Sequence, residues 1–394
     1  AASDVYKRQV LITCGARFSD RVAGNRKKFA PNAEILHIDI DAAEMDKNIF
    51  SNYHLRGDLA EILPMLTRNV EQMDHSDWKA EIEASRHPFK QLQIGDYVNP
   101  QVLIEKIDEM SELAPVHNHP HALALRACKK VFSESVPQVA VFDTAFHQTI
   151  PEKAFMYALP YEDYEKYHVR KYGFHGTSHR FVSKALADAM GKDVKDLKIV
   201  SCHLGNGSSI TAIQGGKSVD TSMGFTPLDG VIMGTRCGAI DASAVTFLAK
   251  KHGFNADQMS DYMNKRSGFL GVSGISSDNR DISAAAENGD KKARLASEIL
   301  QYEIKKYIGS YAAVMNGIDV VLFTGGIGEN APEVRSGACS SMDFFGIKLD
   351  EKVNAETRGK LCKISAPDSK VEVWVVPTNE ELLIARDTLA MIKK

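Results

Sequence analysis

Short apolar runs of strand length alternate along this chain with stretches of helical spacing, and that alternation predicts an α/β fold. Two further features support it. Leu197–Leu204 runs as an apolar strand into Gly205-Asn206-Gly207-Ser208-Ser209 and out again as Ile210–Ile213, the pattern of a β-hairpin. Leu295, Ile299, Ile304, Ile308, Tyr311 and Met315 recur at helical intervals just before another buried strand, Asp319–Thr324.

The opening Ala1–Gln9 has no initiator Met and no apolar core of a signal peptide. It resembles translated sequencing-adapter read-through and is set apart as a cloning or assembly scar. Val10–Gly15 is a strand-like run, and Ala16–Asn25 is a polar loop. Glu34–Asp41 is β-rich and ends in carboxylates. Asp58–Leu66 starts with an N-cap-like Asp, with Pro64 expected to interrupt its helical spacing. Ligands of an open α/β sheet bind at strand carboxyl ends, where Arg17, Arg21, Asp39 and Asp41 fall.

Glycine separates this first stretch from the rest. Only Gly15, Gly24, Gly57 and Gly95 precede residue 111, against 24 after it. Val141–His147 reads as a strand ending at Asp143, and His175 and His179 stand at i, i+4. No Glu lies between them as a zinc-protease helix requires, so hydrogen-bonded structure is the simpler reading. His117, His119 and His121 around Pro120 read as a loop. Asn206-Gly207 is expected to supply the positive φ of a tight turn and to expose backbone N–H groups to phosphate. Met233–Gly238 and Gly325–Asn330 are further glycine turns. Asp290 is placed to cap the long helix, and Gly317 to end it at C′.

The 394 residues suggest two or three domains. With Lys+Arg 48 against Asp+Glu 51, no electrostatic footprint for nucleic acid or an anionic membrane exists. No apolar run is long enough to span a bilayer. Cys14, Cys128, Cys202, Cys237, Cys339 and Cys362 form no CxxC pair and read as reduced thiols. No P-loop motif and no protein-kinase motif set occurs.

GARFSDRVAGN, KFAPNAEILHIDIDAAEMDKN and RGDLAEIL resemble the middle domain of acetolactate synthase, and Asp96–Ile107 resembles the entry to that family's third domain. The family's thiamine-diphosphate segment GDG…N is absent, so FAD attaches to this fragment by resemblance only and is not expected to be retained.

Leu113–Asn118, FDTAFH, YGFHGTSH, HLGNGSSI, DTSMGFTPLDG, GTRCG, SGFLGVSGISSD, FTGGIGEN and PTNEE follow the order and spacing of the acetate kinase family. The resemblance implies an actin-like two-domain fold with an incomplete first domain, preceded by a small Rossmann-like α/β fragment. It implies synthase-like residues 10–110, a first-domain remnant 111–150, a second domain 151–375, and a segment 376–394 returning to the first domain. The implied reaction is ATP plus acetate to ADP plus acetyl phosphate with Mg²⁺, in a cytoplasmic homodimer.

Carried over by residue, Asp143 lies beside the acyl phosphate, and His175 and Arg236 donate to a metaphosphate-like phosphoryl group. His203, Leu204, Gly205, Asn206 and Gly207 hold ATP phosphates. Asp278, Asn279, Arg280, Gly326, Ile327, Gly328, Glu329 and Asn330 line the adenosine side. Glu380 holds Mg²⁺ through water. Gly238–Ala242 departs from the usual GDIDP, and Asn279 stands where an aromatic residue is common. The family's NAGSSSLK and GHRVVHGG do not occur. The expectation is a chimera of low or no kinase activity. Propionate kinase, a nucleotide-binding remnant without turnover, and a bifunctional enzyme are the alternatives.

Overall fold

The computed structural model describes residues 10–14, 30, 32–42, 45–46, 49–68, 99–111, 118–132, 136 and 138–392. Ala1–Gln9, the 16–25 loop with Arg17 and Arg21, Asp96–Val98 and Leu113–His117 lie outside the described residues. The chain divides into two compact units, Ala1–Asn99 and Pro100–Lys394.

In the first unit β1 (Val10–Cys14), β2 (Glu34–Asp39) and β3 (Tyr53–Arg56) form a parallel sheet in that order. Asp39, at the carboxyl end of β2, accepts from the Asp41 N–H at 2.9 Å, so this carboxylate closes its own turn. Asp58 caps the Leu59–Arg68 helix by accepting from the Ala60 N–H. That helix runs on through Pro64, contrary to the expected break. Proline disturbs the bond to the preceding turn's carbonyl, while the turn after it closes on Glu61 and its successors unhindered.

In the second unit the helices Pro100–Glu109 and Asn118–Val131 are joined by an Arg126–Asp108 ion pair and by Asn118 donating to the Met110 carbonyl. His119 and His121 therefore sit in a helix, not a loop, and His119 lies 3.2 Å from Asp108. The first helix belongs compactly with the second unit, although its sequence resembles the synthase segment.

The main sheet has the order β6-β5-β4-β7-β9-β8, built from β4 (Lys198–Leu204), β5 (Ser208–Gln214), β6 (Lys217–Thr221), β7 (Val320–Thr324), β8 (Cys362–Lys363) and β9 (Glu372–Val375). The expected hairpin is β4–β5, in register from Lys198↔Gln214 to Leu204↔Ser208. Its tip at residues 205–207 carries no positive φ; the positive pair is Gly215 and Gly216, in the two-residue β5–β6 turn. A three-residue connection relieves the tip of the mirror-image turn that a two-residue loop demands. Val141 and Phe142 form no strand; Asp143 opens a turn into a 3₁₀ segment, Ala145–Thr149. The Asp143 carboxylate and carbonyl are taken by the His175 and Gly176 N–H groups and the Phe142 carbonyl by Ala145 N–H, which commits this stretch to a turn.

Strand alternation divides the sheet between two cores. Val200, Cys202, Leu204, Ile210, Ala212, Val321 and Phe323 face the long helix Lys291–Val314. Ile199, Ile213, Val320 and Leu322 face the helix Gly176–Met190 through Val182 and Leu186. The long helix buries Ala293, Ala296, Leu300, Ile304, Ile308 and Tyr311, whereas Leu295 is exposed. Asp290 caps it as expected. Its end is a Schellman closure in which Asn316, not Gly317, holds the left-handed C′ position; Gly317 N–H reaches the Ala312 carbonyl. All six cysteines are free. Among the described residues no helix is long and apolar enough to cross a membrane.

Beside β7 the guanidinium of Arg335 is wholly buried. It donates to the carbonyls of Gly328, Asn354 and Thr357 and to the Asn354 side chain. Burial lowers its pKa to about 10. Replacing Arg335 with Ala leaves these acceptors dry and should cost about 3 kcal/mol or more. Urea unfolding followed by Trp374 fluorescence in a Trp78→Phe background measures it; a midpoint unmoved by Arg335→Ala contradicts this account.

Candidate active site

The polar end of the helix-facing sheet surface holds the site. Alternation puts Ser201 and His203 of β4 and Ser209 of β5 on the same face as Ile199 and Ile213. The Gly176–Met190 helix lies over that face. Its later turns contribute Val182 and Leu186, and its first turn contributes Ser178 and His179. The same two elements therefore form an apolar core at one end and an imidazole cluster at the other.

His175 is the left-handed residue preceding that helix (φ 56°). Asp143 fixes it there: its carboxylate accepts from the His175 N–H at 2.6 Å, and its carbonyl accepts from Gly176 N–H at 2.8 Å. The His175 ring stacks on His203 with centroids 4.2 Å apart and 21° between planes. Its Nδ1 meets Ser209 Oγ at 2.9 Å. His203 Nδ1 contacts Ser178 Oγ, which contacts Thr378 Oγ1, both at 2.8 Å. His179 lies between Ser201 and Ser209, and His147 between Ser218 and the Phe174 carbonyl.

Burial keeps these imidazoles neutral. It pushes His175 down to about 4, helped by the Arg236 charge, and His203 down to about 3. His179, fully buried, is lowered well below its ordinary value, and His147 is lowered by burial as well. A water-accessible imidazole would titrate near 6.5.

Arg236 is half-buried and forms no ion pair among the described residues; its Nη1 donates to the Pro227 carbonyl at 3.3 Å. Its backbone is held by Gly268, whose φ of +65° and close approach to the Met233 carbonyl and the Arg236 backbone leave no room for a Cβ. Gly207 brings the hairpin tip to the same place. A Cβ there would stand 3.5 Å from both Arg236 Nη1 and His175 Nε2. The tip's other end is tied to the Arg236 loop by Gly234 N–H donating to the Asn206 carbonyl. Gly205 N–H is already engaged, by the Gly207 carbonyl and Ser208 Oγ. Leu204 is buried in the opposite core.

Glu380 opens the last helix, Glu380–Ile392. Burial first, and then the Asp143 charge, raise its pKa, which places the two carboxylates in one electrostatic neighbourhood. The last helix packs on Gly176–Met190, with an Arg180–Asp387 ion pair, and so meets residues the sequence reading assigned to 151–375. No cluster of three or more metal-ligating side chains occurs among the described residues. Two carboxylates suit Mg²⁺, which keeps most of its water and takes one or two carboxylates plus substrate phosphate.

The remaining candidates stand in two groups. Asp278 caps the Asn279–Glu287 helix and grips the exposed Arg280, which holds its carboxyl down at about 2. Asn279 is buried and its Oδ1 has no partner among the described residues. Gly326, Ile327, Gly328, Glu329 and Asn330 lie in the short helix after β7. There Glu329 Oε1 accepts from the N–H groups of Gly325 and Thr378, linking this turn to Glu380's loop. Gly328 gives its carbonyl to Arg335, and Asn330 donates to Gly326. Ser178, Ser201, Ser209 and Thr378 complete the network and were not singled out from sequence, whereas His179 was read there as hydrogen-bonded structure and is bonded at both ring nitrogens. The sequence cue to the serines was strand alternation, which puts Ser201 on the face of His203, and the hairpin register, which sets Ser209 opposite His203.

A neutral imidazole and an unpaired guanidinium converging on one point beside two carboxylates are the equipment of a phosphotransferase, and this chain is one. Residues 53–386 match the acetokinase family, and residues 1–66 match the central domain of thiamine pyrophosphate enzymes. The chain belongs to the acetokinase family. It is 56% identical to acetate kinase of Clostridium beijerinckii over 75% of this chain and 74% of that protein. The structure of Porphyromonas gingivalis acetate kinase superposes with a TM-score of 0.72 at 49% identity, covering 75% of this chain and 73% of that one. A propionate kinase from Francisella tularensis gives 0.70 at 38% identity, with 86% of each covered. The fold is therefore the actin-like α/β fold of these kinases.

The cluster has a pH consequence. Unfolded, His175 and His203 bind protons near 6.5; folded, only near 4 and 3. The unfolded chain therefore takes up more protons between those values, so stability should be flat above about pH 6.5 and fall as pH drops toward 4. Urea midpoints across that range check it, and His175→Gln should flatten part of the slope. A midpoint that rises on acidification would contradict it.

Proposed function

We propose that this chain transfers the γ-phosphoryl group of ATP to the carboxylate of acetate, giving ADP and acetyl phosphate. The observation that carries the reading is the convergence of His175 Nε2 and Arg236 Nη1 on one point at the Gly207 tip. An acetate oxygen attacks the γ-phosphorus, and the bond to the ADP bridging oxygen breaks, with no net proton change. His175 stays neutral and donates through Nε2–H, while Arg236 supplies positive charge to the equatorial oxygens. Asp143 orients the acceptor carboxylate or the metal's water shell. Asp143 and Glu380 would hold Mg²⁺ through its water, and the ion neutralises phosphate charge when bound. The hairpin tip, Asp278–Arg280 and Gly326–Asn330 receive the nucleotide, and Asn279 Oδ1 offers it an acceptor. Propionate is the alternative acceptor, in keeping with the Francisella likeness.

A hydroxamate assay of the full chain with Mg-ATP and either acetate or propionate tests this. Acyl hydroxamate formation supports the reading and the better substrate settles the acceptor. No hydroxamate with either, and no ATP from acetyl phosphate plus ADP, from a folded sample, sinks it.

Arg236→Ala should lower kcat by about a hundredfold to a thousandfold, with a smaller change in KM for ATP. Gly268→Ala, which touches no substrate, should lower kcat by moving the Arg236 backbone. Equal kcat in Gly268→Ala and the parent chain would show that Arg236 is not placed by that contact.

A further inference from the structure

A continuous hydrogen-bond chain runs from the sheet into the site. Ser201 Oγ meets His179 Nδ1 at 2.8 Å, His179 Nε2 meets Ser209 Oγ at 2.7 Å, and Ser209 Oγ meets His175 Nδ1 at 2.9 Å. Ser201, His179 and Ser209 are fully buried. Each contact between these four side chains needs one hydrogen; neutral His179 must donate at one contact and accept at the other, whereas the Ser209 hydroxyl, with one proton and two lone pairs, can do the same or accept at both. Three proton arrangements satisfy all three contacts.

In the first, Ser201 O–H donates to His179 Nδ1, His179 Nε2–H donates to Ser209 Oγ, and Ser209 O–H donates to His175 Nδ1. His175 then carries its proton on Nε2. In the second, every direction is reversed. His175 would present a bare Nε2 lone pair beside Gly207 and Arg236, and the Ser201 hydroxyl proton would be left without an acceptor among the described residues. A buried hydroxyl proton with no acceptor costs about 1–3 kcal/mol. In the third, Ser201 and His179 donate as in the first, but His175 Nδ1–H donates to Ser209 Oγ, leaving His175 Nε2 bare and the buried Ser209 hydroxyl proton without an acceptor among the described residues. Both alternatives leave one buried hydroxyl proton unpaired and are disfavoured before any substrate arrives.

We propose that Ser201, His179 and Ser209 are positioning residues that lock His175 in the Nε2–H tautomer, presenting a fixed, uncharged donor to the transferring phosphoryl group. The inference rests on the phosphotransfer reading only for the use made of that donor. Each bond of the chain engages one ring nitrogen of His179 or His175, so the position of the ring proton is what the chain controls. The stack of His203 on the His175 ring fixes the ring plane, and Ser209 fixes which nitrogen faces the sheet. Without that bond the imidazole can exchange tautomers or flip, and then a lone pair or a C–H group, not an N–H donor, faces the Gly207 tip.

The test is long-range ¹H–¹⁵N correlation spectroscopy of the full chain labelled in its histidines, with His175 assigned by its loss in His175→Gln. The expected result at pH 7 is a single Nε2–H tautomer for His175. Ser209→Ala should mix the tautomers and lower kcat about tenfold to a hundredfold with KM for ATP unchanged. Ser209→Thr keeps the hydroxyl and should restore both. Should Ser209→Ala fail to fold, Ser201→Ala, which does not touch His175, should still mix its tautomers. An Nδ1–H tautomer in the parent chain overturns the proposal, as does a His175 signal indifferent to both substitutions. A tautomer that responds as expected in a chain making no acyl phosphate would uphold the relay and reject the phosphotransfer reading.

Discussion

The candidate site depends on keeping water out from between the first turn of the Gly176–Met190 helix and the β4–β5 hairpin. An imidazole in water would titrate near neutrality and exchange tautomers freely. Packed among Ser178, Ser201, His203 and Ser209, the histidines are held neutral and bonded at defined nitrogens. Low dielectric then strengthens each remaining hydrogen bond, and makes each unmade one costly. The cluster is thus ordered by the same desolvation that makes it useful.

The apolar core and the polar cluster are one construction. Ile199 and Ile213 pack on Val182 and Leu186 on the same sheet face that carries Ser201, His203 and Ser209. Burial of the apolar end fixes the helix against the sheet, and that sets the spacing at the polar end. A register slip of one residue in β5 would exchange Ser209 for Ile210 and move the hydroxyl to the opposite core. The register from Lys198↔Gln214 to Leu204↔Ser208 is therefore as important to the site as any single side chain.

Cation and carboxylates arrive from elsewhere in the chain, and each is anchored by backbone rather than by a charged partner. Gly268 admits the Arg236 backbone, and the Arg236 guanidinium is left without a counter-ion among the described residues. Glu329 joins the turn after β7 to Thr378, two residues before Glu380. Asp143 spends one carboxylate oxygen on the His175 backbone and remains close enough to Glu380 to raise its pKa. The arrangement leaves the guanidinium and the two carboxylates without charged partners among the described residues.

Local signals determined much of this protein. Period two fixed the β4–β5 hairpin, and helical spacing and Asp290 fixed the long helix, because each depends on neighbours within a few residues; the motifs around Asp143, His175 and Arg236 named residues that the fold brings to one place. Errors fell where a distant partner decides. Asp143 is drawn into a turn by the His175 and Gly176 N–H groups, the positive φ sits at Gly215-Gly216 rather than the β4–β5 tip, and Leu295 lies off the buried stripe that Ala293 and Ala296 define. The division between compact units at Asn99 and Pro100 likewise follows from the packing of the Pro100–Glu109 helix on Asn118–Val131, not from its sequence likeness. Ser209 is the clearest case. In the sequence it is one of two serines after a glycine turn, and only the fold brings it to both His175 and His179, which lie 34 and 30 residues away along the chain. Sequence names the groups capable of the chemistry; the nitrogen that carries the proton is settled by hydrogen bonds that exist only once helix and hairpin are packed.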